Sequence, residues 1–600
     1  MTSAPKHQSF WTSPASALIL LPIISLVLNW PYLFSGYALD DIIINNAVGT
    51  DPFPFSRWLG VWAGAMFHKG FTNIWWIDPD VQIHFWRPIP SLILEGFMRV
   101  FGRNALPLHL LSILLHGLVG TALYIFVRKL SLRHSFAFVA GLFYVVSEDH
   151  SGTVGWISTF TDIVCVLFIL LSFISHIEWL KFRKARSLIW SIVALIIALG
   201  CKETASIAPV GTALLTLLMP NGSADENILW SGFWTRFRQT LRDYMSWMPS
   251  LIVLILYFIA YLTVGPGGMK NLLYIYPIFD PGLYFSHLLV HLPLMLLGTF
   301  TPVLLNNTMF DPSLLKPLIL PGIVIFIAWI FALLPFRNRP LEIWSFVFYF
   351  LALLPQLCTD ASSRGLYFPL IPASILIASV TMTTGPFVSR RTVPVERGTR
   401  WTRFMGWVAL SVIFVPAVVI SILSPFTIVS AFKQPEIEFK TALPYIEAAN
   451  PEHVIFLNSS GMLLTLYSYD YVHYLTGKIY DVSLLSSVDA VVTLERTGER
   501  SFIIRTDRPG WLSSFTARVM RTKAKVEEGR SYDKDTFVAT IVETTDDHLD
   551  ALAVEFDFKM PLDDPELLFL RWNGETFEPM DLTALNIGET VELADTSKLW

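Results

Sequence analysis

The chain has 600 residues, 53% of them hydrophobic and only 15% charged, with a mean hydropathy of +0.53. An ordinary soluble protein carries about 25% charged residues, so this composition excludes a soluble enzyme. A net charge of −5 gives no sign of a nucleic-acid partner, and Cys165, Cys201 and Cys358, all in or beside apolar segments, offer neither a disulfide framework nor a metal pair.

The first apolar run, 14–34, exceeds the core of a signal peptide. It leads without a cleavage pattern into Gly36-Tyr37-Ala38-Leu39-Asp40-Asp41, so it reads as an uncleaved anchor. Further spans are expected at 105–128, 135–147, 160–180, 187–200, 204–219, 247–264, 317–335, 343–358, 366–384 and 404–424. Basic residues cluster at Arg128, Lys129 and Arg133; Lys181 to Arg186; Arg236, Arg238 and Arg242; Arg337 and Arg339; and Arg390 to Arg403. All five clusters fall on the cytoplasmic side if the stretch 283–305, broken by His287, His291, Pro293 and Pro302, is re-entrant or interfacial and does not cross. About eleven spans result. The amino terminus is then cytoplasmic, and the loop 35–104, expected to carry amphipathic helices, lies outside with everything after 429.

From 430 to 600 charge density rises, and apolar residues alternate in Ser501–Arg505 and Ala551–Phe558. A turn signal appears at Asn573-Gly574. The expected fold is an α-helical polytopic membrane domain, 1–429, followed by an extracytoplasmic β-rich α+β domain, 430–600.

Ionisable groups at the ends of apolar runs are costly unless they face a polar cavity. Four sets stand out: Asp40-Asp41; Glu148-Asp149-His150 with Asp162; Lys202-Glu203; and Arg364 before Tyr367. On the topology above all four lie on the outer side. Carboxylates can accept a proton and cations can neutralise phosphate, with Arg a rigid fork and Lys a point charge. That combination suits a lipid phosphate reacting at the membrane surface. Arg87 reads equally as a phosphate or acceptor contact and as an interfacial anchor. Asp78, Asp80 and His84 could take a divalent cation, but a polar loop with a proline turn is the favoured reading, and no metal is assigned. Trp75, Trp76 and Trp86 read as an amphipathic interfacial helix.

These motifs, in this order, resemble the GT-C membrane glycosyltransferases, and among them the transmembrane tetratricopeptide-repeat O-mannosyltransferase type. Leu39-Asp40-Asp41 with Asn45 or Asn46 is similar to that family's first acidic motif, and Trp86-Arg87-Pro88-Ile89 to its Tyr-Arg-Pro-Leu. His109 and His116 match a segment bounded by histidines, and His150 to Asp162 a His-to-Asp segment. Lys202-Glu203 and Arg364-Gly-Leu-Tyr-Phe-Pro369 complete the series. The chain departs from the pattern at Phe160, where arginine is expected, at Gly152, and in having a β-rich tail instead of the repeats.

The resemblance implies inverting transfer of a sugar, as in a mannosyltransferase, from a polyprenyl phosphate to a hydroxyl of a protein, lipid or glycan. Asp40 is then the general base with Asp41 as runner-up. Arg364, Lys202 and Arg87 serve the donor phosphate, and Glu203, His150, Asp162 and Tyr367 support them, Glu203 by orienting Lys202. The phrases Tyr474-Leu-Thr-Gly477 and Pro561–Pro565 resemble recurring features of bacterial membrane proteins, which places the chain in a bacterial inner membrane with its tail in the periplasm. The tail is expected to bind acceptor or dock partner subunits. The competing reading is a non-catalytic GT-C scaffold in a membrane assembly, towards which Phe160 leans.

Overall fold

The computed structural model describes residues 14–49, 74–78, 81–83, 85–131, 133–224, 232–264, 268–269, 271–303, 305, 312–384, 399–461, 464, 466–486 and 490–593. Asp80, His84, Arg390, Arg391 and Arg397 lie outside them. The chain divides into two compact units, one of Met1–Gly36, Trp86–Gly265 and Ile275–Val429, the other of Tyr37–Phe85, Pro266–Tyr274 and Ser430–Trp600.

The first unit is helical. Among the described residues of the chain, seven helices are long and apolar enough to cross a bilayer, and five shorter apolar helices accompany them. Six of the long helices and all the shorter ones coincide with the eleven apolar segments of the sequence. Some are short because polar chemistry interrupts them: His134–Val145 has 12 residues, about 18 Å at 1.5 Å each, and ends just before Glu148-Asp149-His150. Small residues bring helices close. A Cβ on Gly141 would lie 2.9 Å from the Gly120 carbonyl, so helices Leu106–Ser131 and His134–Val145 meet backbone to backbone.

The basic loops gather at one end of this unit. Lys129 pairs with Glu178 at 2.6 Å, Lys181 donates to the Lys129 carbonyl, and Arg183 pairs with Asp243 at 2.8 Å. Arg339 and Arg133 both act on Glu342, and Thr402 Oγ1 donates to the Ala332 carbonyl, drawing Arg400 and Arg403 towards the same end.

Helix Pro281–Phe300, the stretch expected not to cross, is unbroken and long enough to do so. Its contacts nevertheless set it parallel to the next helix, Leu315–Leu333. A Cβ on Gly322 would strike the Pro293 carbonyl, and seven residues further along each helix Phe300 stacks on Trp329 with ring centroids 4.7 Å apart. Two successive crossings run antiparallel, so a parallel pair requires the chain to turn back after Phe300. Leu305 packs on Gly298, and Thr299 bonds the Tyr349 hydroxyl at 2.7 Å, within helix Pro340–Leu353. This geometry fits a re-entrant path and keeps the described basic residues at one end of the unit.

The second unit is β-rich. A six-stranded antiparallel sheet runs, in spatial order, Thr590–Glu592, Val492–Arg496, Ser501–Thr506, Ala551–Phe558, Phe537–Thr544 and Ser531–Asp533. A second sheet pairs Phe577–Pro579 antiparallel with Leu567–Trp572, which pairs parallel with His453–Phe456 and onward to Asp481–Leu484. Residue alternation explains the first sheet: Phe502, Ile504 and Thr506 are buried and Ser501, Ile503 and Arg505 less so. The Asn573-Gly574 turn joins the hairpin, with Gly574 in the left-handed region at φ +103°.

One expectation fails in this unit. Trp75 and Trp76 are buried, with Trp75 packed edge-on to Trp511, Tyr532 and Phe556 and its Nε1 donating to the Leu485 carbonyl at 2.9 Å. They belong to the β-domain core and not to an interfacial helix. Asp78, for which a polar loop was the favoured reading over a cation site, accepts hydrogen bonds from Arg530 and from both the Thr522 amide and hydroxyl. Its oxygens tie the loop to the tail.

Candidate active site

In the helical unit, the charged ends of several helices converge opposite the basic loops. Lys202 is the extended residue before the turn Glu203–Ile207, which aims its side chain at helix Phe160–Phe182. There its Nζ lies 2.6 Å from Asp162 Oδ1, and both groups are buried. Burial pushes the Lys202 ammonium down and Asp162 opposes that shift. Arg87, leading into helix Pro88–Phe101, pairs with Glu203 Oε1 at 3.0 Å. Glu203 therefore braces Arg87, and Asp162 takes the part of orienting Lys202 that the sequence assigned to Glu203. Trp86 stacks on Tyr257 beside this pair.

Arg364 lies in the turn Ser363–Leu366, exposed, with its guanidinium carbon 5.5 Å above the centre of the Trp156 ring. It is near enough to Lys202 to bear on its charge. Among the described residues, Arg364 is the one of these three cations without a carboxylate ion pair. Behind it Ser363 lies beside Asp149, and His150 sits buried among His116, Tyr144 and Tyr367 with ring centroids 4.4–4.9 Å from its own. His116 Nδ1 lies 3.0 Å from the Tyr367 hydroxyl, and the Tyr144 hydroxyl donates to the Tyr367 carbonyl. Burial raises the Glu148 carboxyl to about 7 and, with Glu148 beside it, raises Asp149 as well. Burial and His116 push His150 down, so the ring is neutral. His150 and Tyr367 are thus a packed support beneath Arg364.

The two motif histidines have separable tasks. His116 holds Tyr367, while His109 Nε2 lies 2.8 Å from the Gly36 carbonyl and 2.9 Å from Ser35 Oγ, pinning the chain where it leaves the first span.

Asp40 and Asp41 belong to the second unit, at the start of helix Asp40–Gly49. Asp41 is buried and its Oδ2 accepts the Ala38 amide at 3.2 Å, a local capping task. Asp40 is half-buried and accepts a hydrogen bond from the Tyr467 hydroxyl at 2.7 Å. This difference favours Asp40 over Asp41 as a base. Tyr467 was not found from sequence, since no spacing rule links residues 427 positions apart. Trp156 was likewise missed as the partner of Arg364.

One cluster among the described residues has metal-ligand composition: His287, His291 and Asp360. The Ala361 amide donates to His291 Nδ1, which leaves the ring proton on Nε2, the atom facing Asp360 at 3.8 Å; His287 Nε2 faces the Thr359 carbonyl. The Ala361 bond thus puts a proton on His291 where a metal would need a lone pair, whereas His287 keeps a lone pair on Nδ1.

A sequence profile described as dolichyl-phosphate-mannose-protein mannosyltransferase matches residues 87–261, which hold Arg87, His109, His116, His150, Asp162, Lys202 and Glu203. Over that segment the chain is similar to the GT-C membrane glycosyltransferases that its motifs resemble. Protein O-mannosyl-transferase Tmtc1 of Drosophila melanogaster is 26% identical to this chain over 214 residues, 35% of the chain and 24% of the relative. The chain thus spans about a quarter of the length of the curated relative it matches. Solved structures of ArnT from Cupriavidus metallidurans, bound to undecaprenyl phosphate and in the apo state, are 13% identical. Their TM-scores are 0.37 and 0.35, covering 78% and 79% of this chain and 90% and 86% of theirs.

Proposed function

We propose that this chain moves a sugar, with inversion, from a polyprenyl-phosphate donor to an acceptor hydroxyl on a protein, lipid or glycan. The carrying observation is the gathering of Arg364, Lys202 and Arg87 on the family segment and beside it, with Arg364 left without a carboxylate ion pair among the described residues. A lipid phosphate is a leaving group that is already anionic and calls for cations more than for an acid. Asp40 takes the acceptor proton, the freed oxygen attacks the anomeric carbon, and the carbon–oxygen bond to phosphate breaks with its electron pair going to the phosphate oxygen. Arg364 meets that developing charge, Lys202 supports it, and Arg87 is the third cation. The basic loops assign their end to the cytoplasm by the positive-inside rule, which puts the reaction on the outer face; the tail's resemblance to bacterial membrane proteins supports a bacterial inner membrane, with the tail in the periplasm.

One observation favours a non-catalytic scaffold: Phe160, where the resemblance expects arginine, is fully buried and supplies only packing. Asp40→Asn separates the readings. The variant is expected to insert and fold while losing sugar transfer by roughly 100-fold or more; transfer at the wild-type rate would remove Asp40 from the role of base.

A further inference from the structure

We infer that the tail is a built-in part of the acid–base site: Tyr467 is a positioning residue for Asp40, and the helix that follows it, Ser468–Thr476, holds the Asp40 motif in its working shape. This rests on Asp40 being the base.

Three contacts carry it, and all lie within the second unit. The buried Tyr467 hydroxyl donates to Asp40 Oδ1 at 2.7 Å. The Leu39 amide donates to the Tyr471 hydroxyl at 3.2 Å, and Leu39 is in the left-handed region at φ +52°, which a leucine adopts only when its surroundings impose it. Asn46 Nδ2 donates to the Asp470 carbonyl at 2.9 Å and lies 3.3 Å from its Oδ1. Tyr467, Asp470 and Tyr471 stand at i, i+3 and i+4, one face of a helical turn, and they grip Asp40, Asn46 and Leu39. The strained residue immediately before the proposed base and the base itself are thus both fixed by phenols from the tail.

The chemistry calls for such a device. A base must be ionised and aimed, yet Asp41 follows Asp40 in the chain and Asp470 acts on it electrostatically, both of them acidic neighbours that oppose its charge; Tyr37 and Tyr471 are the nearby phenols. A phenol O–H donated to the carboxylate favours the ionised form and fixes one oxygen, which directs the other. The tail then completes the enzyme, where the sequence suggested a separate docking module.

The test uses the full-length chain in detergent. Dicyclohexylcarbodiimide reacts with protonated carboxyls, and mass spectrometry of the Asp40 peptide across the acid and neutral range gives the midpoint of labelling. In Tyr467→Phe the midpoint is expected to move up by about one pH unit, because a donor to the charged form is lost. A 3-fluorotyrosine placed at position 467, nearly the same shape but a stronger donor, is expected to move it down, and this substitution serves if Tyr467→Phe fails to fold. Midpoints that stay with wild type overturn the inference. Sugar transfer by Asp40→Asn would overturn the base reading itself. An inactive Asp40→Asn beside a Tyr467→Phe whose transfer has the wild-type pH profile would overturn only the positioning role.

Discussion

Lys202 and Asp162 are 40 positions apart, Arg87 and Glu203 are 116 apart, and each pair is held at 3.0 Å or less, so the charges of the site are arranged by tertiary structure. The individual residues were legible because the membrane makes an ionisable side chain at the end of an apolar run conspicuous. Their pairing was not, since Glu203 is the chain neighbour of Lys202 yet points to Arg87. Asp470, on the tail face that grips Asp40, supplies a prediction at this scale. Burial raises its carboxyl from 3.8 to about 7, so the folded chain binds that proton more tightly than the unfolded one. The stabilisation is complete below the ordinary value and is lost as pH rises through about 7. Hydrogen exchange of the region around Ser468–Thr476 is therefore expected to quicken between pH 3.8 and about 7 by more than the intrinsic pH effect, and Asp470→Asn is expected to remove that excess.

Helices and strands were read from sequence with unequal success, for physical reasons. Long apolar runs and strict alternation each leave a period in the chain, so the spans and strands such as Ser501–Thr506 and Ala551–Phe558 follow from it. Trp75 left no such period: Trp75-Trp76 in a loop between apolar segments satisfies the description of an interfacial belt as well as that of a core plug. The structure distinguishes them by its contacts with Trp511, Tyr532 and Phe556. Trp75→Ala is accordingly expected to destabilise the tail by about 3–5 kcal/mol. Protease resistance of the tail in the full-length protein checks this, and unchanged resistance would return Trp75 to the interface.

For the whole molecule, the sequence is divided at 429/430, whereas the second compact unit joins Tyr37–Phe85 and Pro266–Tyr274 to Ser430–Trp600. A sequence cut into domains by position cannot show this, because the loop 35–104 is separated from the tail by hundreds of residues and meets it only in the fold. The consequence is functional. The proposed base sits in the unit that this chain does not share with its profile match, while Arg87, Lys202 and Asp162 sit inside that match. An account in which both parts serve one reaction is tested most directly by turnover of the wild-type protein. Purified full-length chain is mixed with radiolabelled polyprenyl-phosphate mannose and a membrane extract as the acceptor source, and release of polyprenyl phosphate is followed. The account predicts release that requires the extract and is lost in Asp40→Asn and Arg364→Ala; donor that stays intact with folded wild-type protein, across extracts and sugars, would contradict it and leave the scaffold.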